Sequence, residues 1–107
     1  MTTHRRYTFL DSRPDPGGHA QVLNILQHAC ETYWWFNEPE VQGKEFGKLS
    51  FSFTASARDQ WFVHKRAMGL AERVYRGLGL GPKSIPFPMW EPLAPHDNRG
   101  RFRVPTT

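Results

Sequence analysis

Apolar and polar residues alternate most cleanly between Leu49 and Ala55. Leu49, Phe51, Phe53 and Ala55 point one way, and Ser50, Ser52 and Thr54 point the other. That period of two predicts a strand with one buried face and one face that is wet or lightly covered. Beyond it the apolar spacing lengthens to that of a helix. Val63, Ala67, Leu70, Ala71, Val74 and Leu78 form a stripe that predicts a long helix ending near Leu78. Ser56-Ala57-Arg58-Asp59 has capping-box spacing, with Ser56 as the expected N-cap. Gly77, Gly79 and Gly81 offer left-handed C-cap positions, and Pro82 prevents continuation. The rest of the chain is organised around this strand and helix.

Four further elements follow from the same periods. Arg5 to Leu10 predicts a first strand, with Tyr7 and Phe9 on one face and Arg6 and Thr8 on the other. Asp11 to Gly18 has loop chemistry, and Asp15-Pro16 can start a helix because proline at the first helical position loses no needed donor. Gly18 to Tyr33 predicts an amphipathic helix with Val22, Leu26, Ala29 and Tyr33 inward and Asn24, Gln27, His28 and Glu31 outward. Trp34 to Val41 predicts a second strand broken by Pro39, followed by a turn at Gln42-Gly43-Lys44. Ser84 to Trp90 predicts the last strand. Pro86 and Pro88 would remove two donors on the same side of it, which forces it to a sheet edge. The order strand, helix, strand, strand, helix, strand implies an α+β fold, a ferredoxin-like βαββαβ two-layer sandwich. The alternative is a three-stranded βαβαβ layer, should Trp34 to Val41 not be a strand. Residues 1–92 are expected to form the single domain, and 93–107 a Pro- and Arg-rich tail.

Composition changes this picture in three ways. The chain has 107 residues, and its fifteen aromatic side chains (8 Phe, 4 Trp, 3 Tyr) give one domain a substantial core. A net charge of +4 permits a polyanionic partner without demanding one. One cysteine, Cys30, rules out an intrachain disulfide and fits a reducing cytoplasm. The polar start of the chain predicts neither a signal peptide nor a membrane span.

On the wheel of the long helix, Trp61, Met68 and Tyr75 recur every seven residues and widen the apolar stripe. Trp and Tyr are interface-enriched, so these three are candidates for a protein interface, against the simpler reading that they complete a small core. The opposite side carries Arg58, Lys65, Arg66, Arg73 and Arg76 around Phe62. An aromatic inside a cationic arc can stack a base while the arginines meet phosphates, with Arg99, Arg101 and Arg103 of the tail as further contacts. The simpler reading is a solvated face with Phe62 tucked under a neighbouring loop.

Other chemistry finds little support. Lys44 to Phe53 loosely resembles the third-strand signature of RNA-recognition motifs. If Phe51 and Phe53 faced outward, however, Ser50, Ser52 and Thr54 would be driven into the core. His4, His19, His28, His64 and His96 do not stand at ligand spacing, and Cys30 has no partner cysteine, so no metal or other cofactor is expected. Asp11, Asp15 and His19 share a loop region, but turn acids beside Pro and Gly explain them without a cation. Gly17-Gly18 lacks the lysine and spacing of a phosphate loop. No Ser, His and acid form a recognised catalytic motif, and no small-molecule substrate is implied.

The run Ser56-Ala57-Arg58-Asp59-Gln60-Trp61-Phe62-Val63-His64-Lys65-Arg66-Ala67-Met68, followed by Arg76-Gly77-Leu78-Gly79-Leu80, resembles small accessory proteins of actinobacterial phages. The resemblance covers the long helix and carries no active site to transfer. It implies an accessory protein acting in the host cytoplasm. The expectation is therefore a non-enzymatic protein that binds a protein partner, either a host target or a second copy of itself, through Trp61, Met68 and Tyr75 and the unblocked outer edge of the second strand. The alternative is a nucleic-acid binder using the basic face of the long helix and the tail.

Overall fold

A computed structural model describes residues 2–14, 18–42 and 48–93. Strand β1 (Thr3–Pro14) leads to helix α1 (His19–Thr32), strands β2 (Phe36–Gln42) and β3 (Lys48–Ala57), helix α2 (Gln60–Gly77), a 3-10 turn at Pro82–Ser84 and strand β4 (Met89–Leu93). The four strands form one antiparallel sheet in the order β2-β3-β1-β4. Phe36 to Gln42 pair with β3, so the three-stranded alternative is excluded.

The core is the sheet face predicted from alternation. Tyr7 pairs with Phe53 and Phe9 with Phe51, and all four side chains are buried. Their rings form a continuous row, with Phe9 and Phe51 centroids 5.0 Å apart and nearly parallel. Val22, Leu26 and Ala29 of α1 and Val63, Ala67, Leu70, Ala71 and Val74 of α2 close over that row. Both helices thus lie on one face of the sheet.

The other face is polar. Thr8 and Ser52 exchange a hydroxyl hydrogen bond of 3.1 Å across β1 and β3. Arg6 reaches across β3 to β2, donating to the Glu38 carbonyl at 2.6 Å, to Thr54 Oγ1 at 3.1 Å and to Glu40 Oε1 at 3.1 Å. The fork of Arg6 pins the irregular segment of β2, where the register shifts between Asn37 and Glu40 and Glu38 sits at φ +54°. This left-handed backbone costs a non-glycine residue about 1–2 kcal/mol.

Several boundaries differ from the sequence expectation, each for a local reason. β1 continues past Leu10 because β3 pairs with it as far as Pro14, overriding the turn chemistry of Asp11 to Pro14. Trp34 and Trp35 form a turn, and β2 begins only at Phe36. Ser56 is not the cap of α2. It remains in β3, and Asp59 caps the helix, its Oδ1 accepting from the Phe62 N–H at 3.0 Å. The cap shifts because pairing to β1 extends β3 to Ala57. Helix α1 starts from Gly18, which has no side-chain cap bond; Asp15-Pro16 lies outside the described residues. A Cβ on Gly18 would collide with Leu78 Cδ2, so its bare backbone permits the approach of the two helix ends.

β4 is an edge strand, as expected, but on a later stretch. Residues 85–88 lie outside any strand, because prolines at 86 and 88 deny that segment ladder donors and pairing starts at Met89. β4 runs through Leu93, one residue into the stretch assigned to the tail. Both edges carry a proline, Pro39 in β2 and Pro92 in β4, a feature that discourages strand addition.

Helix α2 ends in a Schellman motif. The Leu80 N–H donates to the Tyr75 carbonyl at 2.9 Å and the Gly79 N–H to the Arg76 carbonyl at 3.0 Å, with Gly79 at φ +79°. Of the three glycines offered by the sequence, Gly79 takes the left-handed position. Gly79→Ala is expected to lower the unfolding free energy by about 1 kcal/mol. Gly81→Ala, at an ordinary φ with open space around its Cβ, is expected to leave it unchanged or slightly raised. Urea unfolding of the two variants checks both.

Candidate functional site

The proposed interface of Trp61, Met68 and Tyr75 does not exist as one surface. Trp61 is exposed (61%), Met68 is half-buried, and Tyr75 is fully buried. A seven-residue repeat drifts by about 20° per heptad on a straight helix. Here the drift runs toward the core, so each successive member sinks further. Tyr75 ends against Phe51, and its hydroxyl donates to Asp11 Oδ2 at 2.8 Å.

The basic arc divides. Arg73 and Arg76 are exposed farther along α2, and Arg76 flanks a small recess with Glu72, Leu80 and Pro82. Arg99, Arg101 and Arg103 lie outside the described residues. Arg58, Phe62 and Arg66 do come together, lining one groove of about 450 Å³ with Thr2, Ala57 and Trp34. Lys65 stands beside it, its Nζ 4.7 Å from the centre of the Trp61 ring.

Three elements build this groove. Arg58 follows the end of β3 directly, and the Asp59 cap sets the first turn of α2 so that Phe62 remains part-exposed (38%) rather than tucked away. The turn after α1 supplies Trp34, which is 66% exposed. That turn is tied down at its neighbour. The Ser56 N–H donates to the Trp35 carbonyl at 2.9 Å, and the Trp35 ring stacks on Tyr33 at 4.7 Å. Arg66 completes the tie, its guanidinium 4.0 Å from the Trp35 ring centre and 5.9 Å from that of Trp34, while Nη1 donates to the Ser56 carbonyl at 2.8 Å. Arg66 is thus both a structural cation and part of the groove wall. Trp34 was missed as a site residue, although two adjacent tryptophans before a strand are the signal that could have marked it.

The groove holds two guanidinium groups and two exposed rings, and no carboxylate is among its described lining residues. Planar π-faces beside arginines suit unpaired bases and the phosphates that link them. Nucleophilic chemistry is poorly placed. Ser56 Oγ lies 2.6 Å from His4 Nδ1, but Ser56 is only 2% exposed. Burial pushes the Cys30 thiol up to about 11, which suppresses its thiolate at neutral pH. Among the described residues no group of three or more His, Cys, Asp or Glu is placed to hold a metal, and no helix is long and apolar enough to cross a membrane. No family model matches the chain, and comparison with curated proteins and with solved structures returns no match.

Two outcomes follow from this geometry. Tyr75→Phe removes a donor to the buried Asp11 carboxyl and should cost about 1–3 kcal/mol in urea unfolding. Burial holds the His4 imidazole below its ordinary value, so the fold favours neutral His4. The unfolded chain then binds more protons from the folded value up to about 6.5, and stability rises with pH across that window. The contribution is complete above about 6.5 and is lost as pH falls below it. Unfolding of His4→Gln between about pH 7 and 5 should show a shallower loss than the native chain.

Proposed function

We propose that the protein is a non-enzymatic nucleic-acid-binding module whose contact site is the groove between Trp34 and Phe62. The carrying observation is the convergence of Arg58, Arg66, Trp34 and Phe62 from three separate elements on one concave surface, with no carboxylate among its described lining residues. Arginines in the walls supply attraction to phosphate, and the exposed rings supply stacking to unpaired bases. Lys65, Arg73 and Arg76 extend the positive field along α2. The strand order β2-β3-β1-β4, with both helices on one face, supports the ferredoxin-like reading of the fold. In that frame, binding uses the end of the helix layer rather than the open sheet face, where Arg6 is already tied to β2. The burial of Tyr75 weighs against the wide protein interface along α2.

A second reading is favoured by one observation. Phe87 is 98% exposed, with Met89 and Trp90 also exposed beside it. An accessory protein, phage-encoded as the resemblance implies, would cover these side chains with a host protein or a second copy. Light scattering tests the self-association arm, and a strict monomer at high concentration would remove it.

The principal test is titration with a single-stranded oligonucleotide, followed by tryptophan fluorescence at several salt concentrations. Affinity is expected to fall linearly on a log–log plot against salt. Trp34→Ala should weaken binding about tenfold, and Arg58→Glu by at least as much. Absence of binding at low salt would end the reading.

A further inference from the structure

On the other side of the first turn of α2 lies a second, larger groove, of about 660 Å³, lined by Arg5, Asp59, Gln60, Trp61, His64 and Trp90. The two grooves share a ridge. Trp61 faces the second and Phe62 the first, and their rings meet edge to face with centroids 4.9 Å apart. The flanks also match: Trp34 lies on the far wall of the first groove and Trp90 on that of the second.

Arg5 gives the second groove its charge. Its side chain belongs to central strand β1, and the residue is only 7% exposed. The guanidinium stacks on Trp90, 3.6 Å from the ring centre, and donates to Gln60 Oε1 at 2.9 Å and to Tyr7 Oη at 3.4 Å. Each of these partners is neutral. Among the described residues Arg5, a residue nine-tenths buried, forms no ion pair. A buried charge of this kind is costly unless an opposite charge completes it. Asp59 lines the same groove, but its Oδ1 accepts from the Phe62 N–H as the helix cap and does not pair with Arg5. His64 is engaged with Tyr7 Oη at 3.3 Å.

We infer that a single strand of nucleic acid crosses the Trp61–Phe62 ridge, placing one nucleotide in the Trp34–Phe62 groove and a neighbouring one in the second groove, with its base on Trp61 or Trp90 and its phosphate drawn to Arg5. This rests on the nucleic-acid reading and extends its footprint. The pairing of rings across a ridge favours a single strand over a duplex, since stacked and paired bases cannot enter two grooves on opposite sides of one helical turn. Lys65 over the Trp61 ring supplies a further cation on the ridge.

The four indole N–H groups, of Trp34, Trp35, Trp61 and Trp90, give separate signals in a nitrogen–proton correlation spectrum. Titration with thymidine monophosphate should shift the Trp34 signal most. Titration with hexathymidylate, or hexauridylate for the RNA arm, should shift Trp34, Trp61 and Trp90 together. Trp90→Ala and Trp61→Ala should each weaken the hexanucleotide about tenfold and leave the mononucleotide unchanged. Both substitutions are at exposed rings, so a folded variant is expected and its amide spectrum verifies it. If Trp34→Ala weakens the hexanucleotide but Trp90→Ala and Trp61→Ala do not, the two-groove path is wrong and the first groove stands. If no oligonucleotide binds, the nucleic-acid reading falls and the path with it. Equal binding of a duplex, or of polyglutamate of the same charge, would also overturn the path.

Discussion

The pairing register of β1 on β3 is the constraint from which the remaining structure follows. Tyr7 opposite Phe53 and Phe9 opposite Phe51 place four large rings on one face and leave Arg6, Thr8, Ser50 and Ser52 on the other. A slip of β1 by one residue would turn Tyr7 and Phe9 outward and bury Arg6 and Thr8 in their place. With the register held, one face is apolar enough to hold both helices. The other face is polar enough for Arg6 to bind the β2 bulge.

That register also decides where β3 stops, and the candidate site is built from that stopping point. Pairing with β1 carries β3 to Ala57, which leaves Arg58 at the surface and Asp59 to cap α2. The cap in turn sets the rotation of the first turn, with Trp61 and Phe62 on opposite sides of a shared ridge. The Trp34–Trp35 turn is brought alongside by the same strand, through the Ser56 N–H and the Arg66 guanidinium. Arg66 holds this arrangement by stacking and by a carbonyl bond rather than by a salt bridge. Among the described residues no carboxylate pairs with it, and the groove keeps a positive wall.

The electrostatic pattern around α2 is uneven for a related reason. Arg5 and Arg66 both lie against aromatic rings and neutral oxygen atoms. By contrast, Arg6 on the open face is paired with Glu40. The guanidinium on the open face thus has a carboxylate partner, whereas among the described residues those of Arg5 and Arg66 at the end of the helix layer have none. This contrast favours the helix end over the sheet as the place of the proposed nucleic-acid contact.

Periodicity in the sequence was enough for the elements that bury one face. The Phe51/Phe53 strand, the α1 stripe and the α2 stripe stand where alternation and helical spacing put them, because burial imposes those periods on any chain. The basic arc around Phe62 was also readable, since the helical repeat alone sets which side chains neighbour one another. What only the tertiary structure decided were features that depend on a partner element. Strand pairing pushed the cap from Ser56 to Asp59 and drew Asp11 into β1. Proline donors lost at 86 and 88 delayed β4 until Met89. Helical drift, harmless on an isolated helix, sank Tyr75 because a sheet lay beneath it. Arg5 and Trp90 entered the second groove through the pairing of β1 with β4, and Trp34 entered the first through the ties of its turn to Ser56 and Arg66; no local pattern in a single chain encodes those distances.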